Sequence, residues 1–117
     1  MKHRIVHRKL GRNTAHRQAL LKNLLRALVI HEKIKTTDEK AKELRRLFDR
    51  VVTWAKAGDL AHIRLISRIV PDRKLIKKLM DDIAPKMQNR NGGFVRIVKL
   101  GVRKGNGARV SILEIVN

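Results

Sequence analysis

Apolar residues recur along the chain with two different periods. Between residues 20 and 28, Leu20, Leu21, Leu24, Leu25 and Leu28 follow a three-four spacing, with Lys22, Asn23 and Arg26 turned away from the stripe. Asn13 and Thr14 supply capping side chains just before it. This predicts an amphipathic first helix with a basic outer side. Lys33, Ile34 and Lys35 then alternate as a short strand does, and Thr36 followed by Glu39 has the spacing of a capping box for a second helix. On that helix Ala41, Leu44, Phe48, Val51 and Ala55 share one face, Leu47 and Trp54 flank it, and Gly58 sits where a C-terminal glycine belongs. Asp59 can cap a third helix, with Leu60, Ile63, Ile66 and Val70 inward and Pro71 as its stop. Asp72 can cap a fourth, with Leu75, Ile76, Leu79, Met80 and Ile83 inward and Pro85 as its stop.

Beyond Pro85 the pattern changes. KMQNRNGG reads as a loop, and FVRIVKL and RVSILEIV are strand-length runs rich in Val and Ile, joined by the glycine-rich GVRKGNGA as a β-hairpin. Arg96, with Lys99 as a second candidate, would add positive charge to the outward side of the sheet. Residues 1–12 carry no apolar periodicity and are expected to gain order only on a partner. The chain therefore divides into a basic extension, residues 1–12, and a single α+β domain, residues 13–117.

Composition sharpens this picture. A chain of 117 residues with 43% hydrophobic residues can bury one modest core. It holds 29 Lys and Arg against 10 Asp and Glu, a net charge of +19, which in a compact fold calls for a polyanionic partner. The excess sits at the ends: residues 1–31 carry eight Lys or Arg and no acid, and residues 86–117 seven against one. The absence of cysteine excludes disulfides and thiolate metal sites. Apolar runs such as LLKNLLRALVI are broken by Lys or Arg well short of the roughly 20 residues a membrane span needs, so no membrane partner is expected. An Arg-rich, acid-free start is similar to an organellar transit peptide, but it leads without a linker into a structured pattern.

An enzyme would need a nucleophile beside a base, a carboxylate pair or a metal cluster, and none is legible. Asp81 and Asp82 are adjacent on a helix and diverge; Glu32 follows His31 without the second His of a zincin motif; Ser67 and Ser111 have no signature around them. His3 and His7 lack a nearby Cys or carboxylate, so a solvated or RNA-contacting role outweighs a metal pair. No cofactor and no small-molecule substrate are expected. Lys74, Lys77 and Lys78 read equally well as a solvated face. The first stretch does not: Arg4, Arg8, Lys9, Arg12 and Arg17 have no acids to pair with, and guanidinium forks match phosphate oxygens. A helix-turn-helix built on the third and fourth helices lacks the Asn, Gln and Arg cluster of base reading in DNA. Aromatics make up only 3%, so a base-stacking platform is not expected either. Backbone and shape recognition of a folded RNA remains, with a DNA-binding architectural or regulatory protein as the alternative.

The segments MKHR, RKLGR, AHRQALLKNL, HEKIKTT, KAKELRRL, AKAGDL and NRNGGFVRIVKL, in this order, resemble the bacterial-type large-subunit ribosomal protein L-seventeen family over nearly the whole chain. The resemblance implies about four helices covering one side of a small three-stranded mixed sheet, with one strand from the Ile34 region and two from the C-terminal hairpin. It implies a noncatalytic, structural role in the large ribosomal subunit, on the solvent side near the peptide exit tunnel. The implied partners are large-subunit ribosomal RNA and neighbouring ribosomal proteins, in a cytoplasmic bacterial ribosome or an organellar one. The RNA contacts it implies are His3, Arg4, Arg8, Lys9, Arg12, His16 and Arg17. The outward positions Lys22, Arg26 and Arg96 complete the candidate RNA-binding set.

Overall fold

The structure, a computed structural model, describes residues 14–116. Helix α1 (Thr14–His31) is anchored by Leu25, Leu28 and Val29, all fully buried, with Leu20, Leu21 and Leu24 half-buried beside them. It ends at Glu32, whose left-handed backbone (φ 62°) directs its N–H to the Leu28 carbonyl at 2.7 Å. The Lys78 ammonium meets the same end of the helix, donating to the Ile30 carbonyl at 3.1 Å and lying 3.4 Å from the Glu32 carboxylate. A cation there complements the partial negative charge of the free carbonyls. Lys78 is thus a structural lysine, while Lys74 and Lys77 are exposed.

Strand β1 (Lys33–Thr37) passes into helix α2 (Asp38–Ala57) with no loop between them. The capping box expected of Thr36 and Glu39 does not form. Thr36 is held in β1 opposite Ser111, Thr37 takes the N-cap position without a side-chain bond, and Glu39 is exposed. Asp38, the first helical residue, turns its carboxylate inward instead, accepting from the Ser111 hydroxyl at 2.9 Å and from Lys42 at 3.3 Å. The strand pairing overrides the local capping preference, because moving Thr36 out of β1 would break the sheet.

Helix α2 is the spine of the fold. Ala41, Leu44, Phe48, Val51 and Ala55 are buried as their spacing predicts, and Gly58 closes the helix in the left-handed conformation (φ 71°), its N–H on the Trp54 carbonyl. Its neighbours include α1, helix α3 (Leu60–Ile69) and the sheet. On α3, Ile66 is buried and Ile63 half-buried, but Leu60 is 62% exposed, a correction to its expected inward place. Leu60 opens the helix, and Asp59 at the N-cap bonds the His62 ring rather than a backbone N–H.

Helix α4 (Arg73–Lys78) is capped as expected, with the Asp72 carboxylate accepting from the Lys74 N–H at 3.0 Å. It does not stop at Pro85. The chain widens into a π-helical turn over Leu79–Ile83, in which the Ala84 N–H reaches back five residues to Leu79, and a final turn, α5 (Ala84–Lys86), contains the proline. In a regular α-helix the proline ring would strike the Asp81 carbonyl, and the wider turn just before it makes room. Leu79, Ile83 and Met87 stay buried as a result.

The loop after α5 is fastened to α2: Lys56 donates to the Arg90 carbonyl, and the Phe94 N–H donates to Asp49 at 3.3 Å. Strands β2 (Val95–Val102) and β3 (Arg109–Ile115) then form the expected hairpin. The α+β class and the three strands agree with expectation, but the sheet is antiparallel throughout, in the order β1-β3-β2, rather than mixed. β1 runs into α2 and β3 returns beside it in the opposite direction. Val95, Ile97, Ser111, Leu113 and Ile115 point to the helices with Ile34 and Thr36, whereas Lys33, Glu114 and Arg96 form a row on the other face. Lys99, three residues from Arg96, is registered with Ser111 and so belongs to the helix side, contrary to its expected outward place. Leu100 bulges out between Lys99 and Gly101.

Candidate nucleic-acid interface

The surface of α1 is set by which of its side chains the core takes. With Leu25, Leu28 and Val29 buried, the opposite ridge carries Gln18, Ala19, Lys22, Asn23 and Arg26, all exposed, each three or four residues from a neighbour on the same side. No Asp or Glu occurs on α1, so the ridge has no internal counter-charge. Arg26 meets an acid of another element instead, lying 3.8 Å from Asp72, the capping residue of α4. Both partners are partly exposed, and such pairs contribute little, about 0–1 kcal/mol.

Arg17 is placed differently from the rest. Its expected position is the outer, basic side of α1, but it is only 8% exposed and lies on the wall of a cleft of about 530 Å³ between α1, α2 and α3. Lys22 stands on the same wall, and α2 contributes Arg46 and Arg50 and α3 contributes Arg68. Glu43 is the one carboxylate among the cleft's described residues, buried and 3.6 Å from the Arg46 guanidinium. Among the described residues five cations face one anion. Leu21, Leu47 and Ile69, each half-buried, supply an apolar part of the lining.

The structure therefore joins Arg17 and Lys22 in one cleft, places Arg26 along the ridge from Lys22, and exposes His16 on the first turn of α1. His3, Arg4, Arg8, Lys9 and Arg12 lie outside the described residues. Arg96 stands apart from this group: it is on the sheet face turned away from the helices, where its Nε donates to Glu114 at 3.1 Å. Arg46, Arg50 and Arg68 are absent from the set expected from sequence. A signal for two of them exists there, since Arg46 and Arg50 are one turn apart on the polar side of a strongly amphipathic helix. What the sequence does not carry is the packing of α3 that turns Arg68 toward them.

Phe48 and Phe94 are fully buried and Trp54 is half-buried, and these are all the aromatic residues of the chain. Among the described residues the surface therefore offers cations for phosphates and sugars but no exposed Phe, Tyr or Trp ring for stacking bases. Two acids outside it have lowered ionisations, Asp59 through its bond to the His62 ring and Asp38. The Ser111 hydroxyl holds the buried Asp38 carboxyl below the usual carboxylate range, with Lys42 and Lys99 reinforcing the shift. The bond ties the start of α2 to the centre of the sheet, and gives Ser111 a structural part.

A family model described as ribosomal protein L17 matches residues 20–116. A protein of Coprothermobacter proteolyticus named "Large ribosomal subunit protein bL17" is 50% identical over 114 residues, covering 97% of each chain. Proteins of the same name from Anaeromyxobacter sp. and Geobacter sulfurreducens are 48% and 44% identical, covering 100% and 99% of this chain and 70% and 66% of their own lengths. The match takes in every helix and strand from the later part of α1 to the last residue of the hairpin. On these grounds the chain belongs to the ribosomal protein L17 family.

Proposed function

We propose that the protein is a structural constituent of the large subunit of the bacterial ribosome. It binds large-subunit ribosomal RNA through residues 1–12 and the outer ridge of α1, and braces the folded RNA on the solvent side near the peptide exit tunnel, among neighbouring ribosomal proteins. The observation that supports this reading most directly is the acid-free ridge of α1 carrying Lys22 and Arg26, in a chain of net charge +19. Each cation placed on a phosphate releases a condensed counterion, so such a surface gains affinity from a polyanion that it does not gain from water. Buried aromatics favour recognition of backbone and shape over base reading. Membership of a ribosomal protein family sets the enzyme reading aside.

The test is sedimentation of the native protein through a sucrose gradient at low salt. Cosedimentation with large ribosomal subunits, disappearing as salt is raised, is the expected result. Protein that remains free, or that follows DNA, would refute the proposal in favour of the architectural alternative.

A further inference from the structure

We propose that the cleft between α1, α2 and α3 is a second seat for the RNA backbone, one that takes a phosphate and its ribose on Arg17, Arg50 and Arg68. This rests on the RNA-binding reading above and extends it from one helix ridge to three helices.

The first observation is the state of Arg17. Burying a guanidinium costs several kcal/mol of hydration unless an opposite charge accompanies it. Among the described residues Arg17 forms no ion pair, and the one carboxylate of the cleft, Glu43, is already within 3.6 Å of Arg46. The lining therefore holds an excess of cations, and Arg17 is the most buried of them. A phosphate oxygen supplies the missing charge in the geometry a guanidinium fork accepts.

The second observation is the shape and chemistry of the space. About 530 Å³ exceeds what a lone phosphate fills, and Leu21, Leu47 and Ile69 give it an apolar side against which a ribose can lie. No aromatic lines it, so a base has nothing to stack on and stays outside. The third observation is continuity. Lys22 belongs both to the exposed ridge of α1 and to the cleft wall, so a strand tracking the ridge reaches the cleft without crossing an uncharged gap.

The experiment measures binding of the full chain to purified large-subunit ribosomal RNA across a salt series, for the wild type, R50A/R68A, R50K/R68K and K22A/R26A. Arg50 and Arg68 are exposed, so their removal leaves the core intact; unfolding midpoints verify this. R50A/R68A is expected to flatten the dependence of log K on log salt by about 0.7–0.9, the amount for the one phosphate no longer neutralised. R50K/R68K should retain the slope while binding less tightly, because the charge stays and the fork is removed. A slope unchanged in R50A/R68A overturns the cleft proposal. If K22A/R26A flattens the slope in that same experiment, the broader RNA-binding reading survives; if the wild type does not bind the RNA, both fall. Inorganic pyrophosphate that raises the wild-type unfolding midpoint, with no slope change in R50A/R68A, would mark the cleft as a small-anion site and overturn its role on RNA.

Discussion

Phe48 tests the assignment of the helix that carries the rest of the fold. It is fully buried on α2, at the centre of the face shared by Leu44, Val51 and Ala55. Truncation to alanine removes a transfer contribution of about 1.5–3 kcal/mol for a fully buried large side chain. It also leaves a void: at about 24 cal/mol per Å³, an unrelaxed space of about 80 Å³ adds about 2 kcal/mol. Alanine returns a few tenths of a kcal/mol through its higher helix propensity. The expected loss is therefore about 3–5 kcal/mol, a large part of the roughly 6–17 kcal/mol typical of a domain this size. Urea unfolding followed by far-ultraviolet circular dichroism should show the midpoint falling by about 2 M at an unchanged slope, taking a slope near 1.5–2 kcal/mol/M. Leu60→Ala is the control, because Leu60 is 62% exposed and its loss should stay within about 0.5 kcal/mol. A Phe48→Ala loss below about 1 kcal/mol, or one smaller than that of Leu60→Ala, would refute the packing described for α2.

Two further outcomes follow from the placement of charge and pairing. Deleting residues 1–12 should weaken binding to ribosomal RNA while leaving the cooperative melt and helical circular dichroism in place, since α1 is anchored by Leu25, Leu28 and Val29; loss of the melt would place part of the core in that segment. The Asp38 carboxyl is held low by Ser111, so its stabilising contribution is complete above the unfolded carboxylate value near pH 4 and disappears as pH falls through the lower folded value. Ser111→Ala should therefore reduce stability at neutral pH and make the remaining stability less sensitive to acid, as read from urea midpoints at neutral and acid pH; equal acid sensitivity in both proteins would contradict the pairing.

The helices are legible wherever apolar spacing alone decides the buried face. On α2 the five predicted core positions are all buried, because a long amphipathic helix has one way to lie on a core. The failures share a physical cause, a tertiary contact overriding a local preference. Thr36 has the spacing of a cap but is claimed by Ser111 across the sheet. Pro85 looks like a stop, yet a π turn accommodates it so that Ile83 and Met87 can remain in the core. Lys99 resembles Arg96 as a basic strand residue, but an odd spacing on a strand reverses the face. The cationic ridge can be read from α1 by itself. The cleft cannot, since it exists only where three helices meet, and Arg17, which reads as part of an outer surface, lines the wall between them.

The absence of acids on α1 has a cost that a single substitution can reveal. On α2, Asp38 with Lys42 and Glu43 with Arg46 are pairs of the kind that stabilise a helix by about 0.2–0.5 kcal/mol each. Helix α1 forgoes this, although Gln18 and Lys22 are both exposed and one turn apart on the same ridge. Gln18→Glu places an acid four residues before a lysine, the favourable orientation for such a pair. The variant should therefore be more stable than the wild type by about 0.3–0.5 kcal/mol. If α1 faces RNA, the same change should weaken binding, because it introduces a carboxylate beside the phosphates and occupies Lys22. Opposite signs in the two measurements, urea midpoint up and affinity for large-subunit RNA down, distinguish a helix kept acid-free for contact from one that merely lacks acids. A variant that gains stability and binds equally well would show that the ridge is a solvated face.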